Sequence, residues 1–125
     1  MEHNPVGWFD IPVTDMERAQ KFYETVLGVK MKPAELEGYE MVWFPMIEDS
    51  VGSSGALMKG EGYTPSEKGT VVYFTCPDMD EAIARAEKLG GRVTLLKKDL
   101  GKWGVITWLT DSEGNAFALH KWKEE

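Results

Sequence analysis

VGWFDIPVTDMERAQKFYETVLGVK, residues 6–30, reads as a short strand, a capped helix and a glycine stop. Trp8, Phe9, Ile11 and Val13 stand among few helix formers, which favours a strand over residues 6–13. Thr14 or Asp15 then caps a helix, and Glu17 follows Thr14 at capping-box spacing. Ala19, Phe22, Tyr23, Val26 and Leu27 recur at helical intervals as one apolar stripe, and Gly28 supplies the stop. From residue 70 the plan returns as TVVYFTCPDMDEAIARAEKLGGRV. Asp15-Met16 answers Asp78-Met79, Ala19 answers Ala82, and Gly28 answers Gly91. A unit too small to close its own core, written twice, predicts two similar modules packed against each other.

The intervening sequence fills out each copy. Strands are expected at residues 29–32, ended by Pro33, at 39–46 and at 55–59. Residues 60–69, rich in Gly, Pro, Glu and Ser, read as a linker. In the second copy, residues 70–76 form a strand. Asp78 caps the helix with Glu81 in the capping-box position, Ala82, Ile83, Ala86 and Leu89 make the stripe, and Gly90-Gly91 ends it. Strands at 93–96, 105–110 and 116–122 follow, the last two joined by the turn DSEGN, residues 111–115. Each half is β-α-β-β-β, so the expected architecture is a single α+β domain with module one at 6–59, a linker at 60–69 and module two at 70–122.

Composition narrows the function. A chain of 125 residues with 42% hydrophobic content suits one domain with one core. A net charge of −7 repels nucleic acid and anionic membranes, and the basic residues are scattered. The single cysteine, Cys76, cannot form an internal disulfide, and there is no Cys/His spacing for structural zinc. The N-terminal residues lack the apolar run of a signal peptide or membrane span. The expectation is a cytoplasmic protein with neither nucleic-acid nor membrane partners.

VTDMERAQKFYETVLGV, DMDEAIARAEKLGGRV and DSEGNAFALH together resemble the vicinal oxygen chelate superfamily, which includes glyoxalase I, extradiol dioxygenases and the bleomycin and fosfomycin resistance proteins. Ser112 stands where many members carry Pro. The resemblance implies two βαβββ modules whose cupped mixed sheets enclose a small-molecule cavity, in homodimers whose subunits complete each other's site. The superfamily hosts many reactions, so the resemblance specifies fold more sharply than chemistry.

Metal-dependent members project His, Glu or Gln into the cavity from the first and last strand of each module. Carried over one by one, these positions fall on Trp8, within residues 55–58, on Val71 and on Ala118. None offers a donor for Zn, Ni, Fe or Mn, so no cofactor is expected. Asp10 and His120 stand two residues beyond Trp8 and Ala118 on the same strand faces. They could be rim polar groups, ligands of a displaced divalent metal, or an acid–base pair. His3 lies in the lead-in, and Cys76 has no His nearby in sequence to activate it as a nucleophile.

Alternation places Trp8 and Asp10, Val71 and Tyr73, and Ala116, Ala118 and His120 toward the cavity, where Trp43, Met46, Met58, Trp103 and Trp108 could join them. Aromatic walls with few polar groups suit a planar or amphipathic organic molecule. The same residues could equally be core packing, and Trp122 could cover a dimer seam. Trp103, between the glycines of GKWG (101–104), could be a lid or could pack back on the sheet. Glu48, Asp49 and Ser50 form an acidic loop, either solvated or attracting a cation. The expected function is metal-free binding of a small organic molecule. Its rivals are a lyase, isomerase or dioxygenase with a displaced metal, and an interaction module filled by its own tryptophans.

Overall fold

In a computed structural model, which describes residues 3–123, the repeat folds as two four-stranded sheets, each carrying one helix. Module one contains β1 (Phe9–Pro12), α1 (Met16–Leu27), β2 (Lys32–Leu36), β3 (Tyr39–Trp43) and β4 (Gly55–Lys59). Module two contains β5 (Val72–Thr75), α2 (Met79–Lys88), β6 (Arg92–Asp99), β7 (Val105–Thr110) and β8 (Ala116–Lys121), with a 3-10 turn at Gly101–Trp103. The sheet orders are β1-β4-β3-β2 and β5-β8-β7-β6. In each, the strand preceding the helix pairs in parallel with the last strand, and the other pairs are antiparallel.

The modules share one core on the helix side of their sheets. The α1 stripe of Ala19, Phe22, Tyr23 and Val26 is buried with Ile11, Val42, Phe44 and Leu57 from module one. Ala82, Ile83, Ala86, Leu109, Phe117 and Leu119 of module two lie in the same cluster. The Tyr23 ring lies 5.6 Å from that of Phe44 and 5.6 Å from that of Phe117, so one aromatic side chain bridges both modules. Edge-on aromatic contacts of this kind add to the burial that holds the halves together. Among the described residues, no helix is long and apolar enough to cross a membrane.

Polar contacts fix how the modules meet. DSEGN is a hairpin turn, as expected, but its side chains also reach into module one. Glu113 Oε1 accepts from the backbone N–H groups of Thr14 and Asp15 at 2.9 and 2.8 Å, where α1 begins. Asp111 accepts from the Tyr23 hydroxyl, and Asn115 Nδ2 donates to the Pro12 carbonyl at 2.8 Å. From the other side, Arg85 of α2 donates to the Val26 carbonyl at 2.9 Å.

Several local expectations change. Asp15, not Thr14, caps α1 by accepting from Arg18 N–H, so Glu17 does not occupy the capping-box position. Asp78 makes no side-chain cap on α2 and bonds Arg85 instead at 2.7 Å. Pro33 does not end the second strand: β2 runs through it, which an outer strand tolerates because a missing N–H costs no ladder bond on the solvent side. β1, β3 and β5 are shorter than expected, and β8 ends at Lys121. β6 is longer, continuing to Asp99 through two register irregularities; Lys97, at φ 40°, turns its N–H to Thr107 Oγ1. Residues 60–69, between β4 and β5, touch both modules: Ser66 bonds Asn115 and Ala116 while Tyr63 packs on module one.

Candidate functional site

Strand register places matching rows of residues on the sheet faces opposite the shared core. In module one, Asp10 on β1 lies opposite Ala56 on β4, which lies opposite Trp43 on β3. In module two, Tyr73 on β5 lies opposite Ala118 on β8, which lies opposite Trp108 on β7. A central alanine separates flanking side chains whose strands stand two spacings, about 10 Å, apart. The gap lets large side chains lean toward each other over the alanine.

The two rows use that gap differently. Trp108 Nε1 donates to the Tyr73 hydroxyl at 2.8 Å, with the rings 6.3 Å apart and nearly perpendicular. In module one the place of Tyr73 is taken by Asp10, whose carboxylate accepts from Trp8 Nε1 at 3.1 Å and from the Tyr63 hydroxyl at 3.0 Å. The bond to Asp10 is the main influence raising the Tyr63 phenol pKa, so Tyr63 stays a neutral donor. Trp8 meets Trp43 edge-on at 5.3 Å. Beneath them, Met41, Ala56 and Met58 are buried, with Ala34, Tyr39, Trp43 and Tyr63 packed against them. Met58 is therefore a floor residue. Tyr63 was not anticipated in the site, because a tyrosine in a turn-rich linker shows no periodicity that would aim it at a sheet.

In module two, His120 and Trp103 form a third grouping. His120 Nε2 lies 2.6 Å from the Trp103 carbonyl, an arrangement that assigns the proton to Nε2, and its ring meets Trp122 at 4.3 Å. Trp103 is 57% exposed with Lys102 Nζ 5.1 Å from its ring, so it does not pack back on the sheet. Gly104, at φ 96°, permits this close turn, since a Cβ there would collide with the Lys121 carbonyl.

Shallow concavities lie at the ends of both sheets. One, of about 320 Å³, is bounded by Gly7, Trp8 and most of loop 45–54, including Met46, Glu48 and Ser50. The other, of about 350 Å³, is bounded by Asp99, Gly101, Gly104, Val105, Lys121, Trp122 and Lys123. The acidic loop is exposed, and so are Met46, Ile47 and Val51 beside it.

The positions at which related folds hold a metal do not fit one here. Register equates Ala56 with Ala118, which resolves the fourth-strand position. Ala56 and Ala118 are fully buried, Val71 precedes β5, and the Trp8 indole donates to Asp10. None carries a lone pair suited to a metal. Among the described residues, no three His, Cys, Asp or Glu side chains gather closely enough to hold a metal ion. Asp10 and His120 have different partners and share neither a hydrogen bond nor an ion pair. Cys76 is buried, and burial, with the Asp78 carboxylate beside it, pushes its thiol up to about 11, unsuited to nucleophilic attack. His3 is exposed and bonds its neighbour's carbonyl.

Residues 6–45 match the family described as bleomycin resistance protein-like N-terminal. A glyoxylase-like domain-containing protein of Didymella fabae is 30% identical over 94% of this chain and 93% of its own length. Among solved structures, TnmS3, an antibiotic binding protein from Streptomyces sp. CB03234, superposes with a TM-score of 0.70 at 22% identity, over 98% of this chain and 99% of that one. The genomically encoded fosfomycin resistance protein of Listeria monocytogenes gives 0.68 at 16% identity, over 98% and 94%.

Proposed function

This chain belongs to the glyoxalase/bleomycin resistance/dioxygenase superfamily, and from that premise we propose that it is a metal-free binding protein for a planar or amphipathic organic molecule. The observation that carries the reading is the pair of alanine-centred rows, Asp10–Ala56–Trp43 and Tyr73–Ala118–Trp108, on faces that the shared core leaves uncovered. Trp43, Tyr73 and Trp108 offer ring surface on those faces against which a flat ring can stack, with burial as the main driving force. TnmS3, of similar fold, is an antibiotic binding protein, which is consistent with this use of the architecture.

The binding unit is a homodimer in this reading. Trp8, Tyr73, Leu95, Leu96, Trp103 and Trp122 are each more than a third exposed in the single chain. Covering these side chains with a second copy would remove apolar surface from water and enclose the space between the two uncovered faces.

The test is titration of the purified chain with planar aromatic compounds, cationic and neutral, followed by tryptophan fluorescence and calorimetry. Saturable binding at one site per chain, weakened severalfold by Trp43→Phe or Trp108→Phe, is the expected result. A panel in which no compound saturates would favour an interaction module filled by its own side chains. Sedimentation of the free protein reads the dimer independently, and a monomer at micromolar concentration would overturn that part.

A further inference from the structure

The concavity at the end of the module-one sheet differs in chemistry from the one in module two. Among the described residues, no Lys, Arg or His lines it, and Glu48 stands on its wall. The module-two concavity is bounded instead by Lys121 and Lys123. Neither Glu48 nor the adjacent Asp49 forms an ion pair among the described residues, whereas Glu67, Asp78, Asp80 and Glu113 each meet an Arg or Lys. Ser50 and Ser53 add hydroxyl acceptors to the same wall. The rest of the wall is apolar: Met46, Ile47 and Val51 are 57, 74 and 95% exposed, left uncovered by the protein's own fold. Trp8 borders the space, fixed by its bond to Asp10 and its edge contact with Trp43, and is 38% exposed. A volume of about 320 Å³ stands at the small end of the range for ligand pockets.

We infer that this concavity binds a primary arylalkylammonium ion, with the ammonium against Glu48 and the aryl group among Trp8, Met46 and Val51. An ammonium carries three N–H donors, and one carboxylate with two hydroxyls supplies the acceptors. A quaternary ammonium has no N–H to give, and an anion would meet both Glu48 and the chain's net charge of −7. The exposed apolar side chains gain by being covered, so burial provides affinity while the carboxylate selects the charge. No residue of the two alanine-centred rows lines this space, so the site stands apart from the binding function proposed above.

Three matched probes test this: 2-(2-naphthyl)ethylammonium, its neutral isostere 2-(2-naphthyl)ethanol, and 3-(2-naphthyl)propanoate. The full chain is titrated with each while assigned ¹H–¹⁵N signals are followed. The expected result is saturable shifts of the Trp8 indole and of the amides of loop 45–54, with the ammonium binding most tightly and the propanoate least. Added salt should weaken the ammonium and leave the alcohol unchanged. Glu48→Gln should lower ammonium affinity about three- to fivefold, the worth of one exposed ion pair, while that of the alcohol changes less than about twofold. Val51→Ser should weaken ammonium and alcohol alike. Both positions are exposed, so neither substitution disturbs the core. Equal affinity for ammonium and alcohol, an ammonium affinity unmoved by Glu48→Gln, or unshifted 45–54 amides overturns the site. The Trp43 and Trp108 indole signals read the uncovered sheet faces separately, so such a failure leaves the binding function proposed above standing.

Discussion

Glu113, on the β7–β8 turn of module two, holds Arg18 of α1 in module one through paired contacts, Nε to Oε2 at 2.7 Å and Nη2 to Oε1 at 3.1 Å. The Glu113 side chain is fully buried although Arg18 is half exposed. One carboxylate on the turn of one module thus holds the chain entering the helix of the other. Burial alone would push its pKa up; the Arg18 bond and the Asp15 and Thr14 amides outweigh it and hold Glu113 at about 2.

Glu113→Gln should therefore destabilise the fold by about 2 kcal/mol at neutral pH, discounted for the exposed face of Arg18. The depressed carboxylate contributes stability that is fully present above its ordinary value of 4.5 and is lost as pH falls toward 2. Urea unfolding of both proteins at pH 7, 4 and 2.5 should show the difference between them shrinking across that window. A constant difference would place its origin outside the ionisation of Glu113.

Tyr23→Phe removes the hydroxyl that donates to Asp111 Oδ2 at 2.5 Å inside the shared core. Asp111 keeps Asn115 Nδ2 at 3.0 Å, so the loss is expected to be about 1.5–3 kcal/mol, read by denaturant unfolding. Burial, with Asp111 beside it, raises the Tyr23 phenol well above its ordinary value. Ultraviolet titration should accordingly leave this tyrosine un-ionised until the fold itself opens in alkali.

Gly104→Ala puts a methyl group into the Lys121 carbonyl at a backbone φ of 96°, and should cost about 2 kcal/mol or more. Gly101→Ala meets open space at φ 69° and should cost only about 1 kcal/mol. Thermal unfolding of the two variants gives the ordering. Trp103 fluorescence should change only in the first, since the contact beside its turn is what that substitution disrupts.

Metal analysis of the purified protein, with Ni, Zn, Mn and Fe(II) titrations followed by tryptophan fluorescence, should give no stoichiometric metal and no saturable change at micromolar concentrations. Binding of one metal per chain that is lost in Asp10→Ala or His120→Ala would return the displaced-metal lyase, isomerase or dioxygenase to first place.

The sequence alone determined the repeated βαβββ plan, both helices with their buried stripes and the DSEGN turn, because periodicity and glycine stops are local properties of the chain. It also put Asp10, Tyr73 and His120 on strands by alternation and Trp43 and Trp108 on strands or turns beside them, whereas Trp8 lies just before β1. Tertiary structure decided what those residues touch. Asp10 bonds Trp8 and Tyr63 rather than meeting His120, Trp108 finds Tyr73 while Trp43 finds no acceptor among the described residues, and Glu113 accepts from the N–H of Asp15, 98 residues before it in the chain. These are contacts between segments distant in sequence. They depend on strand register and on how two modules share one core, which no local pattern encodes.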